Sequence, residues 1–231
     1  MKPTQLAARA APLLALLLSA CSGLLRSSAA PEQTYYLRAP AVPTGAALSA
    51  TTPLANSVRV AHLLADPGLE SSHIMLLQSD HRMSFFSGAR WPAPMPEMLG
   101  SLAVQTLRAS GNWASVEDSG SPFPSDYLLQ ITVRRFDADY TGGAAAPEVN
   151  VVLVCSIGRR EGRDVVATFV ATGSAAAAHN RLGEVVGAFE QASATALTAL
   201  GQQALEAARA DAARAAQNAT TPAPSSNRQS Q

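Results

Sequence analysis

The sequence predicts an α+β protein, with a single mixed, largely antiparallel sheet and two main helices packed on one face of that sheet. Three long strand-like stretches follow one another at residues 127–137, 148–159 and 164–174. Two other segments repeat apolar residues at helical spacing, one before these strands and one after them. Amphipathic helices of this kind are stable when they cover one side of a sheet.

Short strands are predicted before the first helix. Residues 34–37 are rich in β-forming aromatic residues, and residues 57–63 alternate between apolar and polar side chains up to a turn at residues 66–68. Residues 73–78 and 83–86 flank a polar turn, which predicts a hairpin.

The first helix is predicted to begin near Pro96 and to stop at Ser110 and Gly111. One of its faces carries most of the apolar residues, namely Met95, Met98, Leu99, Leu102 and Leu107. The methionines could line a ligand groove, or this face could pack on the sheet. The spacing favours packing.

The first of the long strands contains a slip in its alternation. Leu129, Ile131 and Val133 share one face, but Phe136 falls on the other. A β-bulge at Arg134 and Arg135 would return Phe136 to the apolar face.

The remaining strands and the last helix follow from apolar patterning. Residues 148–159 are apolar on both faces, as in a central strand, and a tight turn leads to residues 164–174. A second helix is predicted to begin near Asn180 and to keep its apolar stripe to Leu200. Beyond Gln203 the stripe thins to alanine, which predicts a helix end that projects past the core.

The charge balance argues against a nucleic-acid-binding surface. The 231 residues contain 17 basic and 17 acidic side chains, and the two most amino-terminal basic ones lie in a segment predicted to be removed. The remaining chain is mildly acidic and has no clustered basic excess.

The amino terminus is predicted to be a signal peptide. Lys2 and Arg9 precede an apolar run at residues 10–18. This run is too short to cross a hydrocarbon core of roughly 30 Å as a helix. The run ends in Leu-Ser-Ala before Cys21 and resembles a bacterial lipobox. The resemblance implies cleavage before Cys21 and three acyl chains on that residue, which would anchor the protein stably. Ser22 follows, where aspartate would indicate retention at the inner membrane, so the outer membrane is favoured.

The rest of the residues give no catalytic or metal-binding pattern. Cys155 lies in an apolar strand and has no free partner if Cys21 is acylated, so it is predicted to be a buried small hydrophobe. The four histidines are scattered at positions 62, 73, 81 and 179, and no G-x-S-x-G string or phosphate-binding glycine loop is present. We therefore predict a protein that is not an enzyme and has no cofactor and no metal.

Several local strings resemble one family. After the lipobox come Tyr35-Tyr36-Leu37, then Val58-x-Val60, then Arg90-Trp91-x-x-Pro94 opening a helix, and later a strand ending in Phe136-Asp137. In this order they resemble the ABC-type transport auxiliary lipoproteins, which include paraquat-inducible protein C. The resemblance covers roughly residues 34–200. At Gly68-Leu69 the chain departs from relatives, which tend to have an aromatic residue near this turn.

The resemblance implies a division of the chain and a role. Residues 1–20 would be the lipoprotein signal peptide, 21–33 a lipidated tether, 34–205 the transport auxiliary α+β domain, and 206–231 an alanine-rich helix end and a disordered tail. The protein would be a non-catalytic accessory, at the outer membrane and facing the periplasm, of an ABC transporter whose Mce-domain (mammalian cell entry) subunit carries lipid. Phospholipid and a second copy of the chain are further implied partners.

A rival interpretation is an envelope assembly lipoprotein that supports an outer-membrane β-barrel complex. The candidate surface for contact with a partner or lipid is formed by Phe85, Phe86 and Trp91, beside a proline-rich loop. These residues could instead pack the core where the hairpin meets the helix.

Overall fold

The structure is a computed structural model that describes residues 31–40, 52–80 and 82–220. The predicted signal peptide, Cys21, most of the tether, His81 and the tail from residue 221 lie outside the described residues. From Gln33 onward the chain forms one unit. Its elements are β1 (Gln33–Thr34), β2 (Val58–Val60), β3 (Leu64–Ala65), β4 (His73–Leu77), β5 (Met83–Arg90), α1 (Met95–Ser110), β6 (Val116–Glu117), β7 (Tyr127–Asp139), β8 (Glu148–Arg159), β9 (Val165–Ala176) and α2 (Leu182–Thr220).

Strand β7 is the strand around which the sheet is arranged. Along one edge it pairs antiparallel with β8, which in turn pairs antiparallel with β9. Along its other edge the three short strands β2, β3 and β4 pair with it one after another, all in parallel. Strands β5 and β6 join β4 and β2, and β1 joins β5. The mixed sheet with antiparallel long strands confirms the predicted fold class.

The strand predicted at residues 57–63 is divided in two. Val58 lies opposite Tyr127 and Leu64 lies opposite Thr132, so β2 and β3 both follow β7. Between them the backbone keeps contact through the Ala61 amide, which donates to the Leu129 carbonyl at 2.9 Å.

The β-bulge predicted in β7 is present. Val133 lies opposite Leu153 and Arg135 lies opposite Val152, so Arg134 is the extra residue. The bulge returns Phe136 to the buried face, where it is 1% exposed. The Arg134 guanidinium turns to solvent and donates to Asp66 at 3.0 Å.

Both helices pack on one face of the sheet, as predicted, and we call this the helix face and its opposite the open face. Helix α2 lies on β8 and β9, and α1 lies beside β2 and β6. On the helix face the side chains of β7 and β8 are fully buried, among them Leu129, Ile131, Val133, Val151, Leu153, Cys155 and Ile157.

Helix α2 reaches further along the sheet than the alanine-rich composition predicts. Ala208 is fully buried and Asp211 is 5% exposed, so the helix packs on the sheet to this point. The Asp211 carboxylate accepts hydrogen bonds from the Arg159 guanidinium at 2.7 Å and from the Tyr127 hydroxyl at 3.0 Å. These bonds tie α2 to β7 and β8 beyond the end of the apolar stripe.

Within the described part of the chain, every helix is too short or too polar to traverse a membrane.

Candidate partner-contact surface

The three aromatic residues of the predicted contact surface lie in different surroundings. Trp91 follows β5 directly and is completely buried. Its ring centroid is 5.3 Å from that of Phe189 on α2 and 5.9 Å from that of Phe136 on β7. The core-packing interpretation therefore applies to Trp91, which holds hairpin, sheet and helix together and does not reach the surface.

Phe85 and Phe86 point to opposite faces of the sheet because they are neighbours on β5. Phe86 is partly buried and packs against the core. Phe85 is 51% exposed and lies opposite Met75 in the antiparallel pair of β4 and β5. Of the three predicted residues, Phe85 is thus the one that a partner could reach most readily.

Phe85 belongs to an apolar group on the open face, which we call the hairpin patch. Residues directly opposite each other in an antiparallel pair share a face, so Met83 and Leu77 lie on the same side as Phe85 and Met75. The His73 ring stacks on the Phe85 ring with centroids 4.5 Å apart. The hairpin patch consists of His73, Met75, Leu77, Met83 and Phe85, of which His73, Met83 and Phe85 are exposed, Leu77 is half-buried and Met75 is buried beneath them.

The Met83 side chain lies against Gly68, in the turn between β3 and β4. Its Sδ is 3.2 Å from the position that a Cβ on Gly68 would occupy, and Gly68 has φ +93°. Glycine here leaves room for the Met83 thioether, which is itself 51% exposed and adaptable in shape.

The charges beside the hairpin patch are paired among themselves. Leu77 lies opposite Asp139, and the Arg135 guanidinium donates to both Asp137 and Asp139 at 2.8 Å. Hydrogen bonding to Asp137 raises the pKa of Arg135, and a hydrogen bond from the Thr141 hydroxyl lowers the pKa of Asp139. Because these ions satisfy one another, the apolar side chains are the groups left available for a partner.

Cys155 and the histidines, for which the sequence predicts no catalytic or metal-binding role, lie in different surroundings. Cys155 is fully buried, and burial raises its pKa to about 12, so it is a thiol and not a thiolate at neutral pH. His62, His73 and His179 are exposed. Among the described residues, no three His, Cys, Asp or Glu side chains are close enough to hold a metal ion.

The methionines of α1 are largely buried, as the packing interpretation predicts, although Met98 also lines a cleft of about 240 Å³ together with Tyr36 and Leu102. Met95 is 2% exposed and Met98 is 7% exposed. A cleft of about 380 Å³ does lie between α1 and the segment after β2, but it is lined by Leu63, Val104, Glu97, Gln105 and Arg108 among others.

Sequence reasoning found Phe85 but missed its companions His73 and Met83. The alternation of β5 places Met83 and Phe85 on one face, and this signal was available in the sequence. The stacking of His73 depends on a register shift in the hairpin between His73 and Met75, which the sequence does not reveal.

The fold and the hairpin patch define a class: an α+β domain with one sheet face covered by helices and an apolar hairpin exposed on the other. The family model of the ABC-type transport auxiliary lipoprotein component matches residues 35–201, so the chain belongs to this family. It is accordingly a membrane-anchored lipoprotein and an auxiliary component of ABC-type transport, which implies a non-catalytic role.

Solved structures share this fold. Protein XCC0632 from Xanthomonas campestris is 26% identical with a TM-score of 0.68, over 80% of this chain and 99% of that one. An uncharacterized protein is 15% identical with a TM-score of 0.56, over 75% of this chain and 99% of that one. A PelC dodecamer from Paraburkholderia phytofirmans is 16% identical with a TM-score of 0.36, over 65% and 94% of the two chains, a likeness too low to carry an argument. No curated protein matches the sequence at a significant level.

Proposed function

We propose that the protein is a non-catalytic accessory of an ABC transporter with an Mce-domain subunit, and that the transported substrate is lipid. Acyl chains on Cys21 would anchor it in the outer membrane with the domain facing the periplasm. The observation that carries the proposal is the family match over residues 35–201, together with the lipobox-like segment before Cys21 and the serine after it.

The hairpin patch is the proposed contact with the Mce-domain subunit. Its exposed members, Met83 and Phe85, are side chains of the types enriched at protein interfaces. The patch lies on a paired hairpin of the sheet, so little conformational entropy is lost when a partner binds.

The proposal is tested by purifying the acylated protein from crosslinked membranes and identifying proteins and lipids together by mass spectrometry. The informative variant is Phe85→Thr, and its matched control is Val170→Thr, because Val170 is on the open face of β9 with a similar exposure of 52%. Threonine keeps the β-propensity at both positions. We expect an Mce-domain subunit with the wild type and the control, and about tenfold less with Phe85→Thr, as a lost hot-spot residue predicts.

The same experiment decides against the proposal if it recovers a β-barrel assembly component and no transport subunit. The envelope assembly interpretation would then take its place. An equal yield of the Mce-domain subunit from both variants would keep the function and remove the hairpin patch from it.

A further inference from the structure

A second exposed apolar surface lies at the other end of the open face, where β7 and β9 begin and β8 ends. Leu128 lies opposite Gly158, and Gly158 lies opposite Val165. The Leu128 and Val165 side chains therefore lie on either side of Gly158, which has no side chain. They are two strand spacings, or roughly 10 Å, apart. Leu128 is 37% exposed and Val165 is 69% exposed. We call this surface the end groove.

Glycine is required at the floor of the end groove. A Cβ on Gly158 would be 2.8 Å from the Asp164 carbonyl oxygen, and real Cβ atoms do not approach so closely. The open volume above Gly158 is about 550 Å³. The groove therefore results from the tight β8–β9 connection, which leaves no room for a side chain at Gly158.

Two arginines supply the unpaired charge of the end groove. Arg160 and Arg163 line it and make no ion pair with any described residue. Arg159 also lines it but is held by Asp211. Asp164 also lines the groove, and its carboxylate lies 3.0 Å from the position that a Cβ on Gly162 would occupy, at the β8–β9 turn. Glu161 lines a neighbouring cleft.

A rigid aromatic loop extends the apolar surface beyond Leu128. Arg59 lies next to Leu128 on β2, and its guanidinium donates to the Ser121 carbonyl at 2.7 Å and to the Phe123 carbonyl. The Phe123 side chain, between two prolines, is 65% exposed. The prolines and the arginine fix the backbone of the loop before any partner arrives, which lowers the entropy cost of binding.

We propose that the end groove binds an extended segment of a protein partner that carries an apolar side chain flanked by carboxylates. The apolar side chain fills the space over Gly158 between Leu128 and Val165. The carboxylates pair with Arg160 and Arg163, which match the bidentate geometry of a carboxylate. A flat anionic membrane surface fits less well, because it would also meet Asp118 and Asp126 of the loop that presents Phe123. An extended segment can place its carboxylates at the two arginines alone.

The test uses the full acylated chain in its own membranes, with a photo-crosslinking amino acid at Val165 or, in a second sample, at Phe123. Val170 is the control position, since it is on the same strand and the same face but outside the end groove. We expect adducts from positions 165 and 123, but not 170, to one protein, and we expect the crosslinked peptide to contain an apolar residue beside Asp or Glu.

Charge reversal then tests the arginines. In the protein that carries the crosslinking amino acid, Arg160→Glu combined with Arg163→Glu should lower the adduct yield by about tenfold or more. The new glutamates would repel the carboxylates of the partner segment. Arg181→Glu, at the opposite end of β9, should leave the yield unchanged, and equal melting temperatures of all the chains exclude misfolding. A lipid adduct, an adduct to a second copy of this chain, a crosslinked peptide without acidic residues, or no adduct at all would overturn the proposal.

Discussion

Gly173 on β9 lies directly against the backbone of α2. A Cβ at this position would be 2.1 Å from the Ala192 carbonyl oxygen and 2.8 Å from the Ala196 amide nitrogen of α2. Both contacts are with backbone, so no side-chain rearrangement could relieve them. The whole helix would have to move away from the sheet.

We therefore predict that Gly173→Ala lowers the free energy of unfolding by about 3 kcal/mol, at the upper end of the cost of overpacking. Gly187→Ala is the control, because Gly187 is exposed on α2 with nothing within 4 Å of the added Cβ. That change should stabilise the protein by about 0.5–1 kcal/mol, as alanine does in a helix. Urea denaturation followed by circular dichroism measures both, and an unchanged midpoint for Gly173→Ala would show that α2 can shift at no cost.

Asp211 makes the stability depend on pH. Hydrogen bonding from Arg159 lowers the pKa of the Asp211 carboxyl below its ordinary value of 3.8. A carboxyl with a lowered pKa in the folded state stabilises the fold above its ordinary pKa, and this stabilisation is lost as the pH falls through the folded value.

The variant Asp211→Asn should accordingly be less stable than the wild type at pH 7, by about 1 kcal/mol after solvent screening of the half-exposed Arg159 is allowed for. The difference should shrink as the pH falls below 3.8, because the wild-type carboxyl then becomes neutral as well. Unfolding midpoints of both proteins across this range provide the measurement. A difference that stays constant with pH would exclude the ion pair as its cause.

Single residues show how far the sequence could predict the structure. The bulge at Arg134 was predictable because the apolar alternation of one strand records it directly. The partners of Asp211 were not, because Tyr127 and Arg159 lie more than fifty residues away and no local pattern links them. For Trp91 the sequence left both a surface and a core position open, and the contacts with Phe136 and Phe189 show that it lies in the core.

At the level of elements, the part of α2 after residue 205 packs on the sheet, which the sequence did not predict. Ala208 and Asp211 belong to the segment after residue 205 that the sequence separates from the domain, yet both are buried. The alanine-rich composition is explained by this packing, since small side chains let the helix lie close to the sheet.

A chain that ends at Leu205 should therefore lose about 2–3 kcal/mol of stability, because it lacks a buried helix turn and the carboxylate that Arg159 and Tyr127 need. A chain that ends at Thr220 keeps all of α2 and should unfold like the full-length protein. Thermal melting of the two truncated chains compares them. Equal melting temperatures would support a domain that ends at residue 205.

The strands divide into those that local pattern predicts and those that it does not. The hairpin of β4 and β5 and the ladder of β7, β8 and β9 follow from alternation and turns. The parallel pairing of β2, β3 and β4 with β7 could not be predicted in this way, since partners such as Val58 and Tyr127 are far apart in the sequence and no local pattern links them.

At the level of the whole molecule, the residue after Cys21 is predicted to decide which membrane holds the protein. Ser22→Asp should move the protein from the outer-membrane to the inner-membrane fraction, because aspartate at this position favours retention. Ser22→Ala should leave it in the outer-membrane fraction. Density-gradient separation of membranes followed by immunoblotting gives the distribution, and a wild-type protein already in the inner-membrane fraction would contradict the proposed location.

The central position of β7 determines the order in which the strands can pair as the chain emerges. Strands β2, β3 and β4 all pair with β7. Strand β6 pairs with β2, β5 pairs with β4, and β1 pairs with β5, so the half of the chain that is synthesised first has no complete sheet to join. The apolar segment of β4 meets its partners in β7, Ala138 and Asp139, only after about sixty further residues have emerged. A nascent chain with this topology is therefore a natural client for chaperones that shield apolar segments until the central strand emerges.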